Sequence, residues 1–384
     1  MTRRTEILPL PSCAPGTRRE LVVYRWGTPG ARPKAYLQAA LHADEWPGLL
    51  ALHHLGARLD DLDADGRIAG EIVMLPYANP IGMDQSVNDA VLGRYRLADG
   101  GGNFNRGWPD LAALVADRLE GRLGNDANAN VALVRAALLD AVNELPGATE
   151  RDAHQKTLLA HSVDADYVLD VHCDWRATMH LYANRDRTET VAELGRDLAS
   201  PVILLEHEVG EFPFDDANSA PWRELRRRFA LAPETLPSAC FSVTVELRGQ
   251  QDVTDAYAAA DAAGMLNFLI RRGVVAGDPP PLPEAVGEPT PLEHCDRLQA
   301  PHAGLIVWHV ALGDRVRRGD VIADVIDIAE PDPARARTPV VTRQSGILFS
   351  MHVDALTRPG AVIGKVAGAE PIERRPGEKL LSNR

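Results

Sequence analysis

Apolar positions fall into two recurring patterns along this chain: short dense runs, and longer stretches spaced three or four residues apart. The first pair sets the theme. Ala35, Tyr36, Leu37, Ala39, Ala40 and Leu41 are interrupted only by Gln38, and Leu49, Leu50, Leu52, Leu55 and Leu59 then recur at helical spacing. The dense run predicts a buried strand and the periodic one a helix, with Pro47 at a first helical position where its missing N–H costs nothing. The turn between them is His42-Ala43-Asp44-Glu45. After a polar, glycine-containing loop, a second dense run over 71–76 ends in Tyr77-Ala78-Asn79-Pro80. Strand, helix and strand with short connections predict a βαβ unit and a parallel sheet. In such sheets functional groups gather at the carboxyl ends of strands, where His42, Glu45 and Asn79 fall.

The same reading extends along the chain. An entry strand is expected over 20–26. Residues 81–110 carry no periodicity and hold Arg94, Arg96 and Arg106 among Gly, Asn and Asp. A loop of that length inside a domain is either functional or a solvated surface bearing arginines. Helices are expected over 111–119 and 131–142, and a third strand over 166–174, with His172 near its end. His180 follows in a short strand-like run and suits packing better than ligation. A strand at 201–205 leads into an acid- and aromatic-rich loop over 206–222, then a helix over 222–229 whose arginines face solvent. The β-branched run 239–249 predicts a strand that places one acid, Glu246, near its end; a carboxylate there is costly to bury unless paired or close to a metal. A helix over 255–271 closes this part.

Residues 277–291 are rich in proline and read as a linker. Beyond them come only short β-type runs. The expected organisation is therefore an α/β domain over 1–276, a linker over 277–291, and a small all-β domain over 292–384. The fold class is α/β, a mixed and mainly parallel sheet flanked by helices.

Composition narrows the partners. Of the 384 residues, 45% are hydrophobic and 25% charged, and 41 basic against 54 acidic residues leave a net charge of −13. That balance speaks against a nucleic-acid or anionic-membrane surface. No run approaches a membrane span, and the first twenty residues lack the apolar core of a secretory leader. Four widely spaced cysteines without a CxxC pair suit reduced thiols and a cytoplasmic location.

A His and a Glu three apart, on a turn leaving a buried strand, can face one point and ligate a metal; the same pattern also suits a polar loop that caps a helix. With His172 and Glu246 added, the ordered segments LHADEWPG, YANP, NFNR, LDVHCD and VTVELRG over 35–270 resemble the zinc carboxypeptidase superfamily, and within it the succinylglutamate desuccinylase/aspartoacylase family. The resemblance implies one Zn²⁺ per chain held by His42, Glu45 and His172, with Glu246 as general base and acid. It implies that Asn105 and Arg106 bind a substrate carboxylate and that an upstream arginine polarises the scissile carbonyl, Arg94 before Arg96. It implies removal of an acyl group from a small N-acyl amino acid. The alternatives are a metallocarboxypeptidase acting on short peptides and a non-catalytic binding protein on the same fold.

Two departures stand out. Leu41 precedes the first His where family members often have Gly, and Asn103 stands where Asp is often found. Asp170, two residues before His172, suits either a hydrogen bond to that histidine or a packing role. The segment 298–368 resembles a biotinyl/lipoyl-type β domain, but no lysine lies between Lys156 and Lys365 to carry a cofactor. The expected assembly is a homodimer.

Overall fold

A computed structural model describes residues 3–98, 101–206 and 213–373. In chain order its main elements are β1 Arg4–Pro9, β2 Glu20–Gly27, β3 Lys34–Ala39, α1 Pro47–Ala64, β4 Glu71–Leu75, α2 Leu111–Leu119, α3 Ala127–Glu144, α4 Glu150–Ser162, β5 Tyr167–Asp174, β6 His180–Asn184, α5 Thr188–Asp197, β7 Val202–Glu206, α6 Phe214–Arg228, β8 Phe241–Gly249, α7 Asp255–Arg271 and β9 Pro289–Pro291. Antiparallel strands follow: β10 Asp296–Gln299, β11 Gly304–Trp308, β12 Val321–Ile326, β13 Arg337–Val341, β14 Gly346–Met351 and β15 Val362–Ala367. Among the described residues no helix is long and apolar enough to cross a membrane.

The compact units do not follow the division expected from chain order. One comprises residues 1–172, 209–244 and 253–281; the other comprises 173–208, 245–252 and 282–384. Strands β5 and β8 each supply residues to both. The last part of the proline-rich segment forms β9, which pairs in parallel with β7 in the second unit. Proline suits an edge position, because its missing N–H can face away from the ladder.

In the first unit the strand order is β1-β2-β4-β3-β5-β8. Strands β1 and β2 are antiparallel, and β3 runs parallel to both β4 and β5. All six residues of β3 and all five of β4 are buried. That matches the dense apolar runs, since a parallel strand is covered on both faces. Helix α1 buries Gly48, Ala51, Leu52, Leu55 and Leu59, whereas Leu49 and Leu50 are only half-buried. Gly48 is required by close approach: a Cβ there would lie 2.9 Å from both Ala39 Cβ and Val171 Cγ1.

Helix α6 begins at Phe214, eight residues before the helix start expected from the sequence. Its first two turns, FDDANSAP, are poor in helix formers and contain Pro221, so local propensity conceals them. Burial holds them instead, since all residues from Phe214 to Trp222 are buried. Residues 207–212 of the expected loop lie outside the described residues.

In the second unit β6, β7 and β9 pair in parallel, and the six C-terminal strands form antiparallel ladders around Leu298, Ile322, Val325, Leu348, Ile363 and Val366. Lys365 lies within β15 and donates to Asp174 Oδ2 at 2.7 Å, which also accepts from Ser350 Oγ at 2.8 Å. Burial alone would raise the Asp174 carboxyl, but the Lys365 ammonium and these hydrogen bonds hold it well below the usual range. A depressed acid stabilises the fold fully above its unfolded value of about 3.9 and loses that contribution as pH falls further. Asp174→Ala should therefore cost about 2–4 kcal/mol at pH 7, because it leaves the Lys365 charge unpaired, and progressively less below pH 4. Urea unfolding at pH 7 and pH 3 measures this. An equal loss at both values would mean that the ion pair contributes nothing.

Candidate metal centre

Two neighbouring strands bring the site together. In the parallel register Gln38 lies beside Asp170 and Ala39 beside Val171. His42 lies three residues beyond Ala39 and His172 one beyond Val171, so both histidines emerge at the same carboxyl end. The turn out of β3 starts at Ala40, a buried residue with φ +56°. A non-glycine residue in that region carries strain of about 1–3 kcal/mol and persists where the surroundings impose it, often at functional sites. Ala43 donates to Gly93 O at 3.1 Å, which pins the turn under the 81–110 segment. Gly93 permits this, because a Cβ on it would sit 2.5 Å from Ala43 Cβ.

His42, Glu45 and His172 are 6%, 2% and 2% exposed, and each offers one ligand atom within 4.8 Å of the others. His42 Nδ1 lies 3.0 Å from Glu45 Oε1, and His172 Nδ1 lies 2.7 Å from Glu45 Oε2. The far ring nitrogens are held as well: His42 Nε2 is 2.7 Å from Asn103 Oδ1, and His172 Nε2 is 2.9 Å from Asp170 Oδ2. An amide or carboxylate oxygen only accepts, so each Nε2 carries the proton. An imidazole held this way, when neutral, presents its Nδ1 lone pair to a carboxylate oxygen that also only accepts. A proton or a metal ion reconciles these facing acceptors, and two imidazoles with one carboxylate form a donor set that zinc takes.

The electrostatics run the same way. Burial would raise the Glu45 carboxyl, but His42, His172 and Arg94 together hold it well below the usual range. Burial would lower His172, yet the charges of Asp170 and Glu45 push it well above its ordinary value. His42, whose far partner is a neutral amide, is lowered by burial and by Arg94. The two imidazoles are therefore unequal, one backed by a carboxylate and the other by an amide.

Beyond them the polar groups form relays. Tyr36 Oη donates to Gln38 at 2.7 Å, and Gln38 Nε2 donates to Asp170 at 2.8 Å. Asn103 Oδ1 also accepts from Asn105 N at 2.7 Å, and Asn105 Oδ1 accepts from Phe214 N at 2.7 Å and Trp108 Nε1 at 3.3 Å. Asn79 caps the short turn Pro80–Met83 through Gly82 N and donates to Leu41 O at 2.8 Å, bracing the turn before His42. Buried His154 bonds Ala78 O at 2.6 Å, and burial drops it to about 4.

The arginines separate clearly. Arg94 donates to Glu45 Oε1 and so reaches the centre. Arg96 donates to Gly101 O at 3.0 Å and Asn103 O at 3.3 Å, bonds that tie its own loop. Half-buried Arg106 bonds Asn105 O at 2.6 Å. Glu246 is half-buried on the part of β8 that belongs to the second unit. There its charge adds to burial in raising the Tyr182 phenol well above its usual value. His180 packs between the rings of Tyr182 and Phe349 in that unit, as a packing histidine should. Asn103 had no role assigned from sequence, although it opens the NFNR segment. Its partnership with His42 depends on a loop path that periodicity does not encode.

Fold and site together define a class: a mixed α/β sheet with a candidate two-histidine, one-carboxylate metal centre at the carboxyl ends of its strands. Residues 31–272 match the model of the succinylglutamate desuccinylase/aspartoacylase catalytic domain, and the chain belongs to that family of deacylases. It is 26% identical over 350 residues, 88% of this chain and 83% of the other, to an N-alpha-acetyl-L-2,4-diaminobutyric acid deacetylase of Halomonas elongata. A Shewanella frigidimarina protein provisionally named succinylglutamate desuccinylase/aspartoacylase shares the fold with a TM-score of 0.84 at 23% identity, covering 95% of this chain and 97% of that one. The product-bound ectoine utilization protein EutE (DoeB) of Ruegeria pomeroyi shares it with a TM-score of 0.66 at 20% identity, covering 96% and 95%.

Proposed function

We propose that this chain is a zinc-dependent amidohydrolase that releases the acyl group from an N-acyl amino acid. The observation that carries the reading is the orientation of both histidines: each Nδ1 faces Glu45 while Asn103 and Asp170 hold the opposite nitrogens. The family membership and the deacetylase relative support the reaction class. A zinc ion bound there would act as a Lewis acid toward the amide carbonyl and lower the pKa of water to about 7. Glu246 is the proposed base, taking a proton from the attacking water and returning it to the leaving amine. Arg94, which reaches Glu45, is the proposed donor to the developing oxyanion. Arg106 is the proposed clamp on the substrate carboxylate, since its planar guanidinium can donate two parallel bonds. Asn105, whose oxygen serves Phe214 and Trp108, would act by holding that loop in place.

Metal analysis of the purified protein, followed by mass spectrometry of products from N-acetyl, N-succinyl and N-formyl amino acids and from dipeptides, tests this reading. About one zinc per chain and turnover of an N-acyl amino acid are expected. Cleavage of dipeptides alone would make the chain a carboxypeptidase. Stoichiometric zinc with no turnover of any member would leave a binding protein.

A further inference from the structure

Gln38 is the one polar break in the apolar run 35–41, and the reaction above does not use it. It lies on β3, between β4 and β5, and Tyr36, Gln38 and Asp170 are all fully buried. A buried amide costs free energy unless its groups are bonded, whereas an apolar side chain would fill such a strand without that requirement. The bonds that Gln38 makes therefore indicate what it is kept for.

Those bonds run in one direction, toward the metal centre. The register of β3 against β5 sets Gln38 beside Asp170, and Tyr36, two residues earlier, shares its face of the sheet. Tyr36 Oη donates to Gln38 Oε1 at 2.7 Å, Gln38 Nε2 donates to Asp170 Oδ1 at 2.8 Å, and Asp170 Oδ2 lies 2.9 Å from His172 Nε2. An ionised carboxylate only accepts, so turning the amide over would set Gln38 Oε1 against Asp170 Oδ1. The phenol that donates to Gln38 Oε1 favours the orientation that avoids this. Burial and the charge of Asp170 hold that phenol well above its usual value, so it keeps the proton it donates. Tyr36 is packed in turn against the ring of Phe214, 5.8 Å away. The two imidazoles are thus braced by different means. Asn103 Oδ1, which faces His42, accepts from the backbone N–H of Asn105, whereas Asp170, which faces His172, accepts from a side chain.

We infer that Gln38, oriented by Tyr36, is a positioning residue of the metal centre: it holds Asp170, and through Asp170 the imidazole of His172. This inference rests on the reading of that centre as a zinc site and extends it two hydrogen bonds into the core.

The test measures zinc affinity by chelator competition on the full chain, comparing wild type, Gln38→Leu, Asp170→Ala and the double variant. Gln38→Leu should weaken zinc binding by about tenfold, the lower end of the range for residues that orient a ligand. Added to Asp170→Ala it should cost nothing further, because its partner is already gone. Zinc held as tightly by folded Gln38→Leu as by wild type overturns the inference. The same loss repeated on top of Asp170→Ala also overturns it, since Gln38 would then act through packing. If Gln38→Leu does not fold, Tyr36→Phe decides. It removes one hydroxyl and should cost about two- to tenfold, the value of one neutral hydrogen bond; no loss overturns the inference. Nuclear magnetic resonance of the metal-free protein with isotope-labelled histidine separates this claim from the zinc reading. The His172 Nε2 proton should exchange slowly with solvent in wild type and measurably faster in Gln38→Leu, even if no zinc binds. Equal exchange in the two folded proteins overturns the positioning role and leaves the zinc reading as it stands.

Discussion

Glu45→Gln should lower zinc affinity by at least about a hundredfold, and turnover should fall with metal occupancy. Glu45 is the only anionic donor in the triad, and its two oxygens face two different histidines. Loss of a residue that merely orients a ligand costs about ten- to a hundredfold in metal affinity, so loss of a ligand that is also the counter-charge should cost more. The substitution keeps the shape of the side chain but replaces one oxygen by an amide nitrogen that cannot ligate through a lone pair. It also leaves the Arg94 guanidinium and the raised His172 without the carboxylate between them. Chelator competition on the folded variant gives the affinity, and unfolding of both proteins without metal separates that loss from a loss of fold. Zinc binding as tight as in the wild type would remove Glu45 from the ligand set and leave the triad unsupported.

The triad was legible because its residues occupy positions that periodicity can locate. His42 and Glu45 sit where a dense apolar run gives way to a helix, and His172 sits at the end of another such run; the register between β3 and β5 then aligns the two ends. The groups that fix the histidines were only partly legible. Asp170 lies on the same strand as His172, so sequence spacing alone brought it into view. Asn103 comes from the 81–110 segment, where a bridge between Tyr95 and Asn103 and the bond from Phe104 N to Arg94 O set the path, and no local pattern announces either. The start of α6 was hidden for a different reason. Acids, amides, Ser and Pro look like a surface loop, yet here they are buried at a helix start anchored by Asn105. Polarity misleads where polar groups are buried in the fold rather than turned to solvent. The compact units were illegible for a third reason, since β5 and β8 pass from one unit into the other within a single strand. Apolar patterning marks a strand but not the residue at which its neighbours change.

Glu246→Gln should leave zinc bound and reduce kcat by about a hundredfold to ten-thousandfold, the range spanned by general acid–base catalysis. The expectation separates two roles that a carboxylate near a metal can play. As a ligand, Glu246 would share in holding the ion, and its amide variant would lose metal. As a base it would hold only a proton, and the amide would lose turnover alone. His42, Glu45 and His172 supply three donors without it, and three protein ligands with one open position is the pattern of catalytic rather than structural zinc. Gln keeps the size and hydrogen-bonding reach of Glu but cannot accept a proton at neutral pH, so the fall should appear in kcat, with KM changing little. Zinc content and kcat measured on one preparation decide between the roles. Loss of more than half the zinc would move Glu246 into the ligand set, whereas full zinc with undiminished kcat would mean that another group moves the proton.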